Sequence, residues 1–411
     1  MTTKTPNCIL KSGQLAIHFM RRVYFDYNAT TPVDREVLDA MLPFFTEGYG
    51  NASSIHSAGQ NARAAVEAAR ESVAALIGAK PSEIVFTSGG TEADNLAVLG
   101  FVAAMRREKK HVICSTIEHH AVLNTVEALE KQGVEVTWLP VSSDGIVDPE
   151  DVRRALRPET ILITVMHANN ELGTIQPIAE IGRIAFESNI YFHSDAVQSA
   201  GKIPIDVNEL KVDFLALSAH KLCGPKGIGA LYVRENTPFE PLFFGGSHER
   251  DRRPGTENVP GIVGFGKAAE IARAHLVSDS PRLAALRDRF EQGILAGVPE
   301  SHVNGDRTRR VANTTSLTFL HAAGESLVIS FDLQGVQCSG GAACSSGATL
   351  PSHVLHAIGL PRDEAKSTLR FSLGRFTTDE DIDYAIEVIP VVVERLRSLS
   401  PNYRKAVPAR S

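Results

Sequence analysis

Short apolar runs alternate with helical stretches through the first two thirds of this chain, and this alternation limits its fold more than any other feature. From about Ser82 onward, "EIVFTS" precedes "GTEADNLAVLGFVAAMRR", and "HVICST" precedes "HHAVLNTVEALEKQG". Alternating β and α elements with Val-, Ile- and Phe-rich strands are typical of a mostly parallel sheet with helices on both faces. We therefore predict an α/β fold.

A different pattern begins after about Pro260. Long amphipathic stretches are followed by the short strand candidates "TTSLTFL" and "TLRFSL" and by a final helix. Because 411 residues exceed one ordinary core, this part is predicted to be a second, smaller α+β domain. The predicted division is residues 36–265 for the large domain and residues 23–35 with 266–411 for the small one. Residues 1–22 lack clear periodicity and are expected to be a disordered extension or an upstream start.

Charge and cysteine usage exclude several classes of protein. The formal net charge is −6, from 42 basic and 48 acidic residues, which provides no basic face for nucleic acid. No window approaches the ~20 uninterrupted apolar residues of a membrane span, and the first residues lack the apolar core of a signal peptide. Five cysteines, an odd number, favour reduced thiols over a disulfide framework. We predict a cytoplasmic protein that binds neither nucleic acid nor membrane.

Polar residues follow the predicted strands, where ligands of such sheets lie. One group, Gly89, Gly90 and Thr91, stands between a strand and a helix. A helix N-terminus with a hydroxyl and small residues can hold a phosphate. Taken alone, this group is better explained by a simple Gly-containing turn in which Thr91 caps the helix.

A lysine and an aspartate follow two other strands. Lys221 lies in "LSAHKLCGPKGIG", and Asp195 ends "YFHSD" with Gln198 close by. A lysine at the mouth of a cleft can be kept neutral and bind a carbonyl covalently. Together with a phosphate cradle and a ring-stacking group, for which His119 is the candidate, this is the set that pyridoxal 5′-phosphate requires. The adjacent histidines in "IEHH" do not predict a metal site, because no Cys/His spacing nearby completes a ligand set.

Two cysteines occupy a run of small residues, "CSGGAACSSGATL", from Cys338 to Leu350. A structural cysteine is usually surrounded by large apolar side chains, whereas this composition is typical of a mobile, exposed loop that can carry a sulfur to a substrate. Cys338 ends a strand-like stretch and Cys223 follows Lys221 without a helix, so a structural role suits both better than catalysis.

The chain resembles the cysteine desulfurases of the class V aminotransferase superfamily, in particular the NifS/IscS-type branch, from Tyr24 to about Leu399. The motifs that carry the resemblance are "VYFDYNATTPV", "GNASSIHSAG", "FTSGGTEADNLAV", "VMHANNELGTIQPI", "HSDAVQSAGKIPID", "LSAHKLCGPKGIGALYVR", "GGSHERDRRPGTENVPGIVGFGKA", "GAACSSG", "PSHVLHAIGL" and "LRFSLGRFTTDEDID". The resemblance implies the fold-type I architecture of pyridoxal phosphate enzymes and a homodimer.

The family pattern also implies a role for each matching residue. Lys221 would bind the cofactor covalently, Asp195 would pair with its pyridinium nitrogen, and His119 would stack on its ring and is a candidate proton shuttle. Gln198 and Asn170 would contact the ring hydroxyl, and Arg370 would bind the substrate carboxylate, with Asn170 nearby. Cys344 would be the mobile nucleophile. The residues matching the phosphate cradle are Gly90, Thr91, Ser218, His220 and, from the partner subunit, Thr256.

The implied reaction converts L-cysteine to L-alanine and leaves the sulfur on Cys344 as a persulfide for an acceptor protein such as an iron–sulfur scaffold. Thio-cofactor and tRNA thiolation pathways would use the same persulfide. Three alternatives stay open at this point: a selenocysteine lyase, another pyridoxal phosphate enzyme of the class, and a catalytically silent scaffold that binds sulfur-trafficking proteins.

Overall fold

The computed structural model describes residues 6–11, 14–19, 21–340, 352–399 and 403. The strands in these ranges are β1 Pro6–Lys11, β2 Gln14–Phe19, β3 Val23–Tyr24, β4 Ile84–Thr87, β5 His111–Ser115, β6 Glu135–Leu139, β7 Thr160–Thr164, β8 Tyr191–Asp195, β9 Phe214–Ser218, β10 Gly229–Val233, β11 Ser301–Asn304, β12 Thr314–Phe319, β13 Val336–Gln337, β14 Ser339–Gly340 and β15 Thr368–Ser372. The α-helices are α1 Arg35–Met41, α2 Pro43–Thr46, α3 Ser57–Leu76, α4 Gly90–Ala104, α5 His120–Lys131, α6 Pro149–Ala155, α7 Ile178–Glu187, α8 Val207–Leu210, α9 Val259–Gly297, α10 Gly324–Leu333, α11 His353–Ala357, α12 Arg362–Lys366 and α13 Asp379–Leu399.

The larger sheet has the strand order β4-β10-β9-β8-β7-β5-β6. β10 pairs antiparallel with both β4 and β9, and the other pairs are parallel, so every strand except β10 runs in one direction. This arrangement confirms the predicted α/β class with a mostly parallel sheet. The carboxyl ends of the parallel strands therefore share one edge.

Both faces of this sheet are buried, as the continuous apolar runs predicted. Along β9, Leu215 and Leu217 belong to one hydrophobic cluster while Phe214 and Ala216 belong to the other. Successive side chains of a strand point to opposite faces, so a fully buried strand must be apolar at every position. This rigid, two-sided core fixes the edge from which the site residues project.

A second, antiparallel sheet has the order β11-β12-β15-β14. Its hydrophobic cluster includes residues of α9 and α13 and also Val23 and Phe25, and β3 pairs with β13. The segment near residue 23 thus packs with the smaller sheet. The predicted division at residue 266 falls inside the continuous helix α9, and the exact domain boundaries stay a prediction.

The extension before residue 23 contains an antiparallel hairpin, in which Lys11 pairs with Gln14 and Pro6 with Phe19. The sequence predicts a disordered extension or an upstream start there, because it shows no long periodic pattern. The two strands are six residues each and are separated by Ser12-Gly13, a dipeptide that favours turns, so the signal is too short for periodicity to reveal. No helix in the described ranges is both long and apolar enough to cross a membrane.

Candidate active site

One cavity lies at the carboxyl edge of the larger sheet, and the predicted site residues from five separate segments meet in it. α4 begins after β4, α5 follows β5, and the segments after β7, β8 and β9 complete the wall. The predicted residues that line it are Gly90, Thr91, His119, Asn170, Asp195, Gln198, Ser218, His220 and Lys221. Parallel strands bring together residues more than a hundred positions apart because their carboxyl ends meet at the same edge.

Lys221 lies in a short 3-10 turn directly after β9. Its Nζ donates to the backbone oxygens of Asn28, at 2.5 Å, and Ala29, at 2.8 Å. Burial, reinforced by the nearby cation of Arg370, lowers the pKa of Lys221 to about 8, although Asp195 opposes the change. About one amine in ten is then neutral at pH 7, against about one in three thousand at the ordinary lysine value. This lysine can act as a nucleophile or a base near neutral pH.

Asp195 is the last residue of β8 and is 5% exposed. Its Oδ1 accepts a hydrogen bond from the backbone N–H of Val197 at 2.8 Å. Burial raises the pKa of Asp195, while His119 and Lys221 oppose the rise. A buried carboxylate is costly unless a cation or strong donor faces it, so this position is suited to a protonated ring nitrogen.

His119 is the N-cap of α5, and its Nδ1 accepts from the backbone N–H of Ala121 at 3.1 Å. In the neutral ring this bond puts the proton on Nε2. Desolvation by the surrounding protein lowers the pKa of His119; Asp195 opposes this effect and Lys221 adds to it. The ring is therefore oriented by the helix terminus and is mainly uncharged at neutral pH.

The opposite end of the cavity has the properties of a phosphate site. Gly90 is the first residue of α4, and a Cβ there would lie 2.8 Å from Cγ2 of Val197, so the chain needs glycine for this close approach. The Oγ of Ser218 is buried and has no hydrogen-bond partner within the described ranges. His220 is held by Thr30, at 3.2 Å from Nδ1 to Oγ1, and burial lowers its pKa to about 4. Helix N–H groups, an unpartnered hydroxyl and a neutral imidazole fit the phosphate of pyridoxal phosphate.

Arg370 lies on β15, next to this cavity but outside its lining. Its guanidinium donates to the backbone oxygen of Asn170 at 3.1 Å and to Oδ1 of Asp26 at 2.7 Å. Its Nε is buried without a partner among the described residues. The smaller sheet thus brings a cation with an unused donor to the rim of the site.

One predicted site residue lies away from this cavity. Thr256 is exposed and does not line the cavity of its own chain. Cys344 lies outside the described residues. Cys223 and Cys338, for which the sequence predicts a structural role, are both buried, and burial raises the pKa of each thiol.

Sequence reasoning missed Asn28 and Asp94, which line the same cavity. Asn28 belongs to the quoted stretch "VYFDYNATTPV", but nothing local indicates its contacts with Thr314, at 2.8 Å, and with the lysine. Asp94 lies one turn into α4, and its sequence context is that of an ordinary acidic residue on a helix. Burial, with Asp195 close by, raises its pKa well above the usual range.

Comparison with known proteins agrees with this geometry. The family model described as "Aminotransferase class-V" matches residues 23–385. The chain is 51% identical over 381 residues to a protein of Dictyoglomus turgidum named cysteine desulfurase IscS, covering 93% of this chain and 97% of that one. A solved structure described as a NifS-like protein superposes with a TM-score of 0.86 at 39% identity, covering 91% of this chain and all of the other. Another, of SspA in complex with cysteine, has a TM-score of 0.77 at 42% identity and covers 87% of this chain and all of the other.

Proposed function

The chain belongs to the class-V aminotransferase family, and from this premise we propose how its residues carry out the reaction of a cysteine desulfurase. The protein is a pyridoxal phosphate-dependent cysteine desulfurase, as its full-length likeness to such enzymes indicates. The roles of individual residues, the dimer and the sulfur acceptor are our proposals.

The cavity residues would hold the cofactor along its length. Lys221 would bind it covalently, Asp195 would pair with its ring nitrogen, and His119 would stack on its ring. The phosphate would lie at the start of α4 against Thr91 and the unpartnered Oγ of Ser218. When bound, the cofactor supplies an electron sink that makes bonds at the substrate's Cα and Cβ labile.

Lys221 is also the proposed general base for the substrate Cα proton. A pKa of about 8 lies close to neutral pH, where a catalytic base combines an adequate neutral fraction with sufficient basicity. Its two backbone acceptors, the oxygens of Asn28 and Ala29, hold the amine in one place in the cavity. His119, with its proton on Nε2, is the second group that could move a proton at the reacting atoms.

Arg370 is the proposed partner of the substrate carboxylate. A guanidinium binds a carboxylate through two parallel N–H groups, and Nε of Arg370 has no partner in the described ranges. Asp26 holds the guanidinium from the other side at 2.7 Å, which fixes its plane before substrate arrives. Asn170, whose backbone oxygen accepts from Arg370, would contact the cofactor ring hydroxyl together with Gln198.

Cys344 is the proposed sulfur acceptor within the chain. Its thiolate would attack the substrate Sγ, the Cβ–Sγ bond would break, and Cβ would take a proton, giving alanine and a Cys344 persulfide. Only the thiolate is an effective nucleophile, so the thiol must lose its proton as it enters the site. No external oxidant or reductant is needed, because Cβ keeps the electron pair of the broken Cβ–Sγ bond and is reduced to a methyl group while the two sulfurs are oxidised to the persulfide level.

A homodimer would complete the phosphate site. Thr256 is exposed in its own chain, and Phe243 and Phe244, about a dozen residues earlier in the chain, are 54% and 95% exposed. Large exposed apolar side chains in the segment that leads to a predicted ligand residue support a protein interface there. We propose that Thr256 reaches the phosphate bound by the partner subunit in a two-fold dimer.

An acceptor protein would then take the persulfide sulfur from Cys344. An iron–sulfur scaffold is our first candidate, with thio-cofactor or tRNA thiolation proteins as further ones, because each accepts sulfur in this form. A cytoplasmic location belongs to the same proposal and is supported by the cysteine usage of the chain.

The convergence of nine predicted residues in one cavity, Lys221 among them, carries this proposal. Its test is alanine production from L-cysteine with added pyridoxal phosphate and a thiol reductant. We expect activity in the parent protein, loss of at least about a thousandfold in Cys344→Ala because the nucleophile is gone, and near-parental activity in the matched control Cys338→Ala. Undiminished activity in Cys344→Ala would remove that residue from the mechanism and point to a lyase that needs no persulfide.

A further inference from the structure

A second lysine, Lys202, lies behind the cofactor cavity and has no part in the mechanism above. Its Nζ donates to Oε1 of Gln198 at 2.8 Å and to Oδ1 of Asn28 at 3.1 Å. The residue as a whole is half-buried, and a separate cavity behind Lys221 exposes part of it. Lys202 therefore contacts two residues that line the cofactor cavity without lining that cavity itself.

The Asn28 side chain is fixed from four directions. Its Nδ2 donates to Oγ1 of Thr314 at 2.8 Å and to the backbone oxygen of Asn170 at 3.1 Å, while its Oδ1 accepts from Asn313 and from Lys202, each at 3.1 Å. Asn28 is 1% exposed, so it can hardly move. Its backbone oxygen therefore keeps a fixed position for the groups that donate to it.

Gln198 is one of the groups that donate to this backbone oxygen. Its Nε2 donates to the backbone oxygen of Asn28 at 3.0 Å, the same oxygen that accepts from Lys221. If the Gln198 amide were flipped, its Oε1 would face the Asn28 carbonyl oxygen, so that two acceptors would meet. Its Nε2 would then face the Lys202 amine, which donates to Oε1 in the structure. Since Nε2 carries two N–H groups and Asn28 uses one, a second donor stays available to the group bound in the cavity.

We propose that Lys202 is a positioning residue that holds the Gln198 amide with its N–H face toward the ring hydroxyl of the bound cofactor. This inference rests on the proposed function, in which Gln198 contacts that hydroxyl. A donor is needed there because the ring hydroxyl, once ionised, is an acceptor. Without Lys202, only the hydrogen bond from Nε2 to the Asn28 backbone oxygen would favour this amide orientation, and Oε1 would lose its donor.

Lysine suits this task because its amine donates in either protonation state. Burial, together with the cations of Lys221 and Arg370, lowers the pKa of Lys202 to about 7, and Cys223 opposes this slightly. Both the ammonium and the neutral amine carry N–H groups that can reach Gln198 and Asn28. Either form can therefore donate to the Gln198 oxygen, and the ammonium, which has no lone pair, also disfavours the flipped amide.

The test is a double-mutant cycle on cofactor affinity, with Lys202→Met, Gln198→Ala and the double variant. The dissociation constant of pyridoxal 5′-phosphate is measured by dialysis of cofactor-free protein, and the visible absorption maximum of the bound cofactor is recorded beside it. We expect Lys202→Met to weaken binding about tenfold and to shift the maximum when Gln198 is present, and to have little effect when it is absent.

Three further variants keep the test decisive. Lys202→Arg retains the donors and should restore most of the affinity, Lys202→Leu, which also lacks a donor, replaces the methionine variant if that protein does not fold, and the exposed Lys80→Met controls for loss of a lysine. Equal weakening with and without Gln198, or parental affinity in Lys202→Met, overturns the inference. A parent protein that binds no pyridoxal phosphate instead refutes the proposed function itself.

Discussion

Replacing Arg370 with glutamine tests the electrostatic account of Lys221. Burial makes the largest contribution to its lowered pKa, and Arg370 makes the next. The substitution removes a cation and leaves Asp26, which Arg370 binds at 2.7 Å, without its partner. Asp26 itself raises the pKa of Lys221, so both consequences act in the same direction. We expect the pKa to rise from about 8 toward 9, the change that about 1.4 kcal/mol of lost repulsion would produce.

The assay follows the growth of visible absorbance when cofactor-free protein is mixed with saturating pyridoxal phosphate over a range of pH. Only the neutral amine attacks the cofactor carbonyl, so the rate should reach half its maximum near pH 8 in the parent and roughly one pH unit higher in Arg370→Gln.

Two variants control this measurement. Arg370→Lys retains the charge and should stay near the parental midpoint. Arg375→Gln removes a cation that is not among the groups acting on Lys221, and it should leave the midpoint unchanged. An Arg370→Gln midpoint equal to or below that of the parent would refute the reasoning.

Two further predictions concern stability and assembly. Burial raises the pKa of Glu118 to about 8. Between about pH 4 and 8 the carboxyl is therefore ionised in the unfolded chain but protonated in the folded protein. Glu118 thus lowers the free energy of unfolding by an amount that grows as the pH rises through this range. Glu118→Gln keeps the oxygen that accepts from the Ser115 hydroxyl and the Met166 N–H. It should raise the melting temperature of the cofactor-free protein by several degrees at pH 8 and by less at pH 5. An equal gain at both pH values would contradict the raised pKa of Glu118. Thr256→Ala should weaken pyridoxal phosphate binding about tenfold by removing one hydroxyl from the phosphate, measured by dialysis at concentrations where the dimer is intact, and unchanged affinity would argue against a contribution from the partner subunit.

Much of the architecture could be predicted from local sequence patterns. Apolar runs such as "ILIT" in β7 and "FLALS" in β9 are buried at every position, which is how strands covered on both faces must read. Because the predicted residues of the cavity lie at or shortly after the ends of strands of the larger sheet, their place at the carboxyl edge also followed from the pattern. The hairpin before residue 23 escaped prediction because its strands are too short to give a periodic signal.

The contacts that tune the site could not be predicted in this way. The partner of Arg370, Asp26, lies 344 positions away, and the acceptor of the Gln198 amide, Asn28, lies 170 positions away. Neither residue belongs to a motif whose spacing implies a contact. Asp94 and Glu118 look like ordinary acids of a helix and a loop, and only their burial beside Asp195 raises their pKa values.

The sequence by itself determined the α/β class and indicated nine of the residues that line the cavity at the carboxyl edge of the larger sheet, but not Asn28 or Asp94. These properties depend on residue type and on short-range order along the chain, which the alternation of strands and helices makes visible. Only the tertiary structure decided that the lysine amine is anchored on the Asn28 carbonyl, that Arg370 is held by Asp26, and that a second lysine, Lys202, donates to Gln198. Those choices depend on how the two sheets pack against each other, because pKa values and hydrogen-bond directions are set by neighbours in space and by the exclusion of water.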